Sequence, residues 1–132
     1  MKTQLLFNES YLSIEYNSKT NCLLAIWHAE QTFDTLKLGY SKIHELLLAK
    51  KCRKVLNDNS QVKGDWLEAA QWDGKVWISQ FIDAGLTSIA WVYPTDFYKS
   101  YTREHALKQN SEYPVYSFGD FNEAEEWIQA VA

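Results

Sequence analysis

The strongest constraint on the fold is the alternation, along the chain, of short apolar runs with segments of helical periodicity. Residues 22–27 (CLLAIW) and 88–93 (SIAWVY) are nearly continuous apolar runs of strand length, which is typical of strands covered on both faces. Between and after these runs, apolar residues recur at steps of three and four, as on one face of a helix. This order favours an α/β fold, in which helices connect the strands of one sheet.

The predicted sheet is mixed and has about five to six strands. The first two strands form a hairpin, and right-handed crossovers make the remainder of the sheet largely parallel, with helices packed on it. The predicted strands are 3–8, 11–17, 22–27, 54–57, 88–93 and 114–118. The predicted helices are one that follows Thr32 and ends among the cations at 50–53, then 65–84, 95–109 and one that starts at Asp120. Gly74 is expected to break the second helix or to end a short first part of it.

The first helix has the clearest pattern. Its apolar residues step by three, four, three and four, which predicts one inner stripe. The stripe consists of Phe33, Leu36, Tyr40, Ile43 and Leu47. Thr32 is the predicted N-cap of this helix, and Asp120 with Glu123 three positions later predicts a capping box at the last one.

Length and composition favour one globular domain that spans residues 1–132. Thirteen Lys and Arg against seventeen Asp and Glu give a net charge of −4, which argues against a nucleic-acid binder. The N-terminal residues lack the apolar core of a signal peptide, and no apolar stretch approaches the roughly 20 residues of a membrane span. Cys22 and Cys52 are expected to be reduced core thiols, so the predicted location is cytoplasmic.

No catalytic or cofactor motif is found in the sequence. His28, His44 and His105 lie on different predicted elements, so no metal site is expected. There is no Ser-His-Asp or Cys-His signal and no glycine-rich phosphate loop. We therefore expect a non-enzymatic protein without a cofactor.

Several short motifs, in order along residues 5–130, resemble the SpoIIAA-like family of small bacterial proteins in the STAS superfamily. Each motif is weak alone, but their order and spacing match the family. The matching residues are Trp27, Val55-Leu56-Asn57-Asp58-Asn59, Trp77, Ala84-Gly85-Leu86, the run from Ile89 to Asp96, Phe118, Ala124 and Trp127-Ile128.

The resemblance implies a regulatory function and a protein partner. The best-known members of the superfamily are anti-sigma-factor antagonists, which bind a partner kinase and are switched off by a phosphate on a serine after a central strand. That serine stands in an Asp-Ser-Ser-Gly motif, where this chain has Asp58-Asn59-Ser60-Gln61. Ser60 is thus the phosphorylation candidate, although many members of the nearer family carry Arg at this position.

The loop after the strand at 54–57 is the predicted partner-binding edge, because open α/β sheets place their sites at the carboxyl ends of strands. The partner-binding candidates are Asp58, Asn59, Asp65 and Trp66. The alternative interpretation is structural: Asx and Ser side chains readily form hydrogen-bonded turns that lead into a helix.

The high aromatic content, 15% of the residues, leaves a second functional hypothesis open. Most of the rings are expected in the core, but some could line a site for a small apolar or lipid-like ligand, or contact a membrane surface. The pocket candidates, between the second and third helices, are Trp77, Phe81, Phe97 and Tyr101. Aromatic surface left over from the core would also allow a homodimer.

Overall fold

A computed structural model describes residues 3–104 and 114–131, without the side chains at 64, 65, 68, 71 and 100–104. Strands and helices alternate after an N-terminal hairpin, as the sequence predicts. The elements are β1 (Thr3–Glu9), β2 (Leu12–Asn17), β3 (Cys22–Trp27), α1 (Phe33–Lys50), β4 (Lys54–Asp58), α2 (Gly64–Asp83), β5 (Ser88–Val92), α3 (Thr95–Glu104), β6 (Val115–Phe118) and α4 (Phe121–Ala130). The predicted continuation of the third helix to residue 109 lies outside the described residues.

The six strands form one mixed sheet in which spatial order equals chain order, β1 to β6. The pairs β1–β2 and β2–β3 are antiparallel, whereas β3–β4, β4–β5 and β5–β6 are parallel. Each parallel connection is one helix, so α1 and α2 both run against the strands and begin at the carboxyl edge of the sheet. The predicted α/β class and mixed sheet are confirmed.

Helices cover the two faces of the sheet unequally. The larger core lies between one face and α1 and α2, and Phe97 and Tyr98 of α3 pack against it. The smaller core lies on the other face, where Ala124 and Ile128 of α4 pack over β4 and β5. Side chains alternate between these faces along each strand, so in β4 Val55 points to the larger core and Leu56 to the smaller one.

Two buried indoles determine how closely α1 and α2 approach the sheet. A Cβ atom on Gly39 of α1 would lie 2.3 Å from the Trp27 ring, and one on Gly74 of α2 would lie 2.2 Å from the Trp91 ring. The predicted break at Gly74 is therefore wrong, because α2 continues through it from residue 64 to 83. This glycine makes room for the Trp91 ring, a contact between elements that a local sequence pattern does not contain.

The predicted helix caps are largely confirmed. The Thr32 hydroxyl accepts a hydrogen bond from the Thr35 amide, and the Thr35 side chain accepts one from the Thr32 amide, which closes a capping box. Asp120 accepts a hydrogen bond from the Glu123 amide, so it is the N-cap of α4 and forms one half of the predicted capping box. Cys22 and Cys52 are free and buried. Within the described residues, no helix combines the length and the apolarity needed to span a bilayer.

Candidate functional site

The loop that follows β4 is a tightly hydrogen-bonded turn. The Asp58 carboxylate accepts a hydrogen bond of 2.9 Å from the Ser60 amide, and the Asn59 carbonyl accepts one from the Val62 amide. The Asn59 amide in turn donates to the Val92 carbonyl at 2.8 Å, which ties the turn to β5. The structural interpretation holds for Asp58, whose Asx-type bond forms the turn that leads into α2. It does not hold for Asn57, which accepts from the Trp27 indole, or for Asn59, whose side chain has no partner among the described residues.

The candidates in this loop differ in exposure. Asp58 and Asn59 are buried, at 7% and 0% exposure, so neither offers much surface to a partner. Ser60 is exposed at the tip of the turn and accessible to a modifying enzyme. The side chain of Asp65 lies outside the described residues.

Trp66, the last candidate of the loop, forms an aromatic pair with Phe33 at the N-terminal ends of α2 and α1. The two ring centroids are 5.1 Å apart and the planes lie at 76°, an edge-to-face contact. Phe33 is 72% exposed, so its predicted place in the inner stripe of α1 is wrong. It begins α1 at the carboxyl edge of the sheet and packs sideways on Trp66, whereas the other four residues of the stripe are buried.

The outer surfaces of α1 and α2 carry most of the exposed large apolar side chains among the described residues. Seven such side chains are exposed by more than 40%, and the only one outside these helices is Leu5 of β1. The six on α1 and α2 are Phe33, Leu38, Leu48, Trp72, Val76 and Ile82. The solvent-facing side of a surface helix is normally polar, so the described residues of α1 and α2 depart from that pattern, and their outer surfaces are the candidate site.

Between the two helices lies a seam, which we call the α1–α2 seam. Its residues are Phe33, Lys37 and His44 on α1, and Trp66, Asp73 and Trp77 on α2. His44 joins the two helices, since its ring centroid lies 6.0 Å from that of Trp77 and 6.4 Å from that of Phe81. Below the seam, the buried Tyr40 hydroxyl donates to the Ala70 carbonyl of α2 at 3.0 Å, and burial raises the pKa of this phenol well above its usual value.

Asp73 is the unusual group of the seam. Its Oδ2 atom is buried and has no hydrogen-bond partner among the described residues. Burial raises the pKa of this carboxyl from its ordinary value of 3.8, while Lys37 partly opposes the shift. A carboxylate oxygen that is removed from water without a donor costs free energy.

A second group of polar atoms is buried beneath the seam, on the face of the sheet that α1 and α2 cover. The Trp27 indole donates to the Asn57 side-chain oxygen at 2.6 Å. The Asn57 amide nitrogen, both polar side-chain atoms of Asn59 and the Trp91 indole nitrogen have no partner among the described residues. Sequence reasoning placed Asn59 on the surface, because Asn after a strand usually belongs to an exposed turn.

The described pocket candidates lie in two different parts of the core, one around His44 and the other around Tyr93. Trp77 and Phe81 contact each other, with centroids 6.2 Å apart, and both pack towards His44 of α1. Phe97 packs on Tyr93, which follows β5, at 5.3 Å. The side chain of Tyr101 lies outside the described residues.

A shallow cavity of about 30 Å³ lies on the opposite face, where Thr20, Cys22 and Ile128 contribute to its lining. This volume is close to that of one water molecule and far below that of an ordinary ligand site.

The histidines do not form a metal site within the described part of the chain. No group of three or more His, Cys, Asp or Glu side chains converges there, and His105 lies outside it. His28 instead lies 2.9 Å from the Ser13 hydroxyl, which donates to Asn8.

Both cysteines are poor nucleophiles. Burial raises the pKa of Cys22 to about 12 and that of Cys52 to about 11, which leaves very little thiolate near neutral pH.

Comparisons with known proteins do not identify a family for this chain. No family model matches it, and neither curated proteins nor solved structures include a significant match. The class defined by the fold is therefore an α/β domain with a mixed six-stranded sheet, and its candidate site is the outer surface of α1 and α2.

Proposed function

We propose that this protein is a non-enzymatic, regulatory protein-interaction module whose partner surface is the outer side of α1 and α2 together with the adjoining turn at Ser60. The observation that carries the proposal is the exposure of Phe33 and Trp72, at 72% and 69%. Such rings are enriched at protein interfaces, where their burial supplies much of the binding free energy.

The turn fits this proposal as a switch beside the interface rather than as its centre. Ser60 is exposed and precedes α2, whereas its neighbours Asp58 and Asn59 are held in the turn. A phosphate on Ser60 would add nearly two negative charges close to Asp58, whose carboxylate accepts from the Ser60 amide. That change in charge would alter the affinity for a partner without any change in the core.

We keep the SpoIIAA-like assignment as part of the proposal. It is supported by the motifs in the sequence and by a sheet whose parallel strands follow one another in chain order, each joined to the next by a helix. The regulatory part of the function rests on this resemblance, and the interaction surface rests on exposure.

The test is site-specific photo-crosslinking in the native host. A benzophenone amino acid replaces Phe33 or Trp72 in two variants, and the exposed Asn8 of β1 in a control. We expect one protein to be linked from positions 33 and 72 and none from position 8. Identical products from all three positions, or none from any, would reject the surface.

Native mass spectrometry of the protein without the benzophenone residues distinguishes three other possibilities, which are a second copy of the chain, a small ligand and a phosphate. A dimeric mass would identify the partner as a second copy of the chain. A small mass increment that is lost on denaturation would support the apolar-ligand alternative, and a covalent phosphate at Ser60 would support the switch.

A further inference from the structure

We propose that the amino edge of the sheet, where the parallel strands begin, docks on an anionic phospholipid bilayer. Four cationic residues lie there and form what we call the basic edge. They are Lys19 in the turn between β2 and β3, Lys50 and Lys51 at the end of α1, and Arg53 directly before β4. The Ser60 turn lies at the opposite edge of the sheet, so this inference adds a second function to the proposed one and does not depend on it.

The cations of the basic edge are available to a binding partner. Lys19, Lys51 and Arg53 are exposed, and Lys50 is half-buried. None of the four forms an ion pair among the described residues. The Lys50 ammonium instead lies over the Tyr16 ring, 5.3 Å from its centroid, which holds it at this edge.

Many of the acids lie at the opposite, carboxyl edge, in the loops and the first turns of the helices. They include Glu30, Asp34, Asp58, Asp96, Asp120 and Glu123. The strands between the two edges are about 20 Å long, which is more than twice the Debye length of about 8 Å at physiological salt. The net charge of −4 therefore does not oppose an anionic surface that meets the basic edge.

Two acids lie near the amino edge and offset only part of its positive charge. Asp83 is the last residue of α2. Glu125 lies on the face that α4 covers, where it shares the electrostatic surroundings of Cys22 with a further cation, Lys54. We leave Lys54 out of the basic edge for this reason.

Lys51 occupies a backbone position that favours glycine. As the C-cap of α1 it has φ 53° and ψ 43°, the left-handed conformation that glycine adopts without strain. The other described non-glycine residue with positive φ is Asn21, whose side-chain amide donates to the Lys51 carbonyl at 3.1 Å. This bond holds the turn with Lys19 beside the end of α1. The dipole of α1 favours a cation at this end, but Lys50 already supplies one, so termination of the helix does not explain a second lysine in a strained position.

Exposed aliphatic side chains beside the basic edge favour a bilayer over a nucleic acid. Leu48 lies three positions before Lys51 and is 55% exposed, and Ile82 in the last turn of α2 is 41% exposed. At a bilayer, the cations would meet anionic headgroups while the aliphatic side chains enter the boundary between headgroups and acyl chains. A single-stranded nucleic acid would need rings on which its bases stack, and the most exposed ring described, that of Phe33, lies at the carboxyl edge.

The test is co-sedimentation of the full chain with vesicles. Phosphatidylcholine vesicles with about 30% phosphatidylserine are the anionic probe, and pure phosphatidylcholine vesicles are the neutral one. The variants are Lys51→Gly, which removes a cation and suits the backbone, and Arg53→Gln. Lys63→Gly is the matched control, because Lys63 is exposed, has an extended backbone and precedes α2 at the carboxyl edge.

We expect binding to the anionic vesicles that weakens as salt is raised, and no binding to the neutral ones. One cation near an anionic bilayer contributes about fivefold in affinity. Lys51→Gly and Arg53→Gln should therefore each weaken binding about fivefold, whereas Lys63→Gly should bind like the parent. In urea denaturation the midpoint of Lys51→Gly should be at least that of the parent, since glycine relieves the strain, so its loss of binding is not a loss of folding.

Absence of binding to the anionic vesicles, or equal binding to both kinds of vesicle, would overturn the inference. An equal loss in Lys63→Gly would do the same, because binding would then depend on total charge and not on the basic edge. A single-stranded oligonucleotide that displaces the protein from the anionic vesicles would assign the basic edge to nucleic acid instead. None of these results changes the crosslinks expected from positions 33 and 72, so the proposed function is tested separately.

Discussion

Replacing Gly74 by alanine tests how the α2 helix is held against the sheet. In an isolated helix this substitution stabilises by about 1 kcal/mol, because alanine is the better helix former. Here we expect the opposite sign. The new methyl group would lie 2.2 Å and 2.7 Å from two atoms of the Trp91 ring and 3.0 Å from the Tyr40 hydroxyl oxygen.

The magnitude follows from the size of the overlap. Ordinary contacts between carbon atoms are about 3.5–4.0 Å, so the closest contact is too short by more than 1 Å. The indole cannot yield, because it is 1% exposed and wedged between Tyr40 and Tyr93, with ring centroids 6.3 and 6.2 Å away. Overpacking of this kind costs about 1–3 kcal/mol. With the upper value and the gain in helix propensity, we expect a net loss of about 2 kcal/mol.

Urea denaturation, monitored by circular dichroism, measures this loss in the free energy of unfolding. At an m-value of about 2 kcal/mol/M, the midpoint should fall by about 1 M with unchanged slope. Trp91→Phe is the matched background, because phenylalanine lacks the outer ring atoms that the methyl group would meet. In that background Gly74→Ala should be nearly neutral or stabilising.

A Gly74→Ala variant that is as stable as the parent would refute the reasoning, since the glycine would then serve no packing purpose. An equal loss in the Trp91→Phe background would likewise show that the cost arises elsewhere. Only a coupling energy of about 2 kcal/mol between the two sites agrees with the distances.

Three further predictions concern titratable groups and a helix cap. Because their pKa values are about 12 and about 11, Cys22 and Cys52 of the native protein should react with Ellman's reagent at pH 8 about a hundredfold or more slowly than the same thiols in urea. Fast labelling of the native protein would contradict their burial. Because the pKa of Asp73 is raised, the native state binds the proton of this carboxyl more tightly than the unfolded chain does. The protonated carboxyl therefore contributes to stability fully below the ordinary pKa of 3.8, and this contribution is lost as pH rises through the native pKa. Asp73→Asn should therefore raise the free energy of unfolding at pH 7 and lose that advantage below pH 3.8, and an equal gain at both pH values would exclude titration as the cause. Thr32→Ala, which opens the capping box of α1, should cost about 1 kcal/mol in urea denaturation, and an unchanged midpoint would show that the box contributes nothing.

The sequence predicts the elements of this fold because their signals are local. Alternation in β2, the apolar runs of β3 and β5 and the three-four steps of α1 each lie within one segment, and the structure has elements at all of these places. Thr32 and Asp120 mark helix starts for the same reason, since a capping bond spans only three residues. Chain order then leaves few topologies, because parallel crossovers are right-handed.

What the sequence does not predict depends on contacts between elements. Gly74 has the pattern of a helix break, and only the position of Trp91 on β5 shows why a glycine is needed there. Phe33 fits the inner stripe of α1 by spacing, but at the first turn of the helix it meets Trp66 and solvent. Asn59 has the character of a turn residue, yet its side chain is fully buried between strand and helix. Each of these errors concerns where a side chain points once the layers are assembled.

The candidate surface is supported by a contrast within the chain itself. On the face of the N-terminal hairpin away from the larger core, β2 carries Ser13 and Glu15, so polar residues occupy the positions that alternation turns outward. The outer sides of α1 and α2 break the same rule, since Phe33 and Trp72 are the most exposed of the large apolar side chains described. A generally apolar composition would have affected both surfaces equally, but the hairpin departs from the rule at Leu5 of β1, whereas the two helices depart from it at six described positions. The exposed apolar surface is therefore concentrated on α1 and α2, and burial against another molecule is the physical process that would make it favourable.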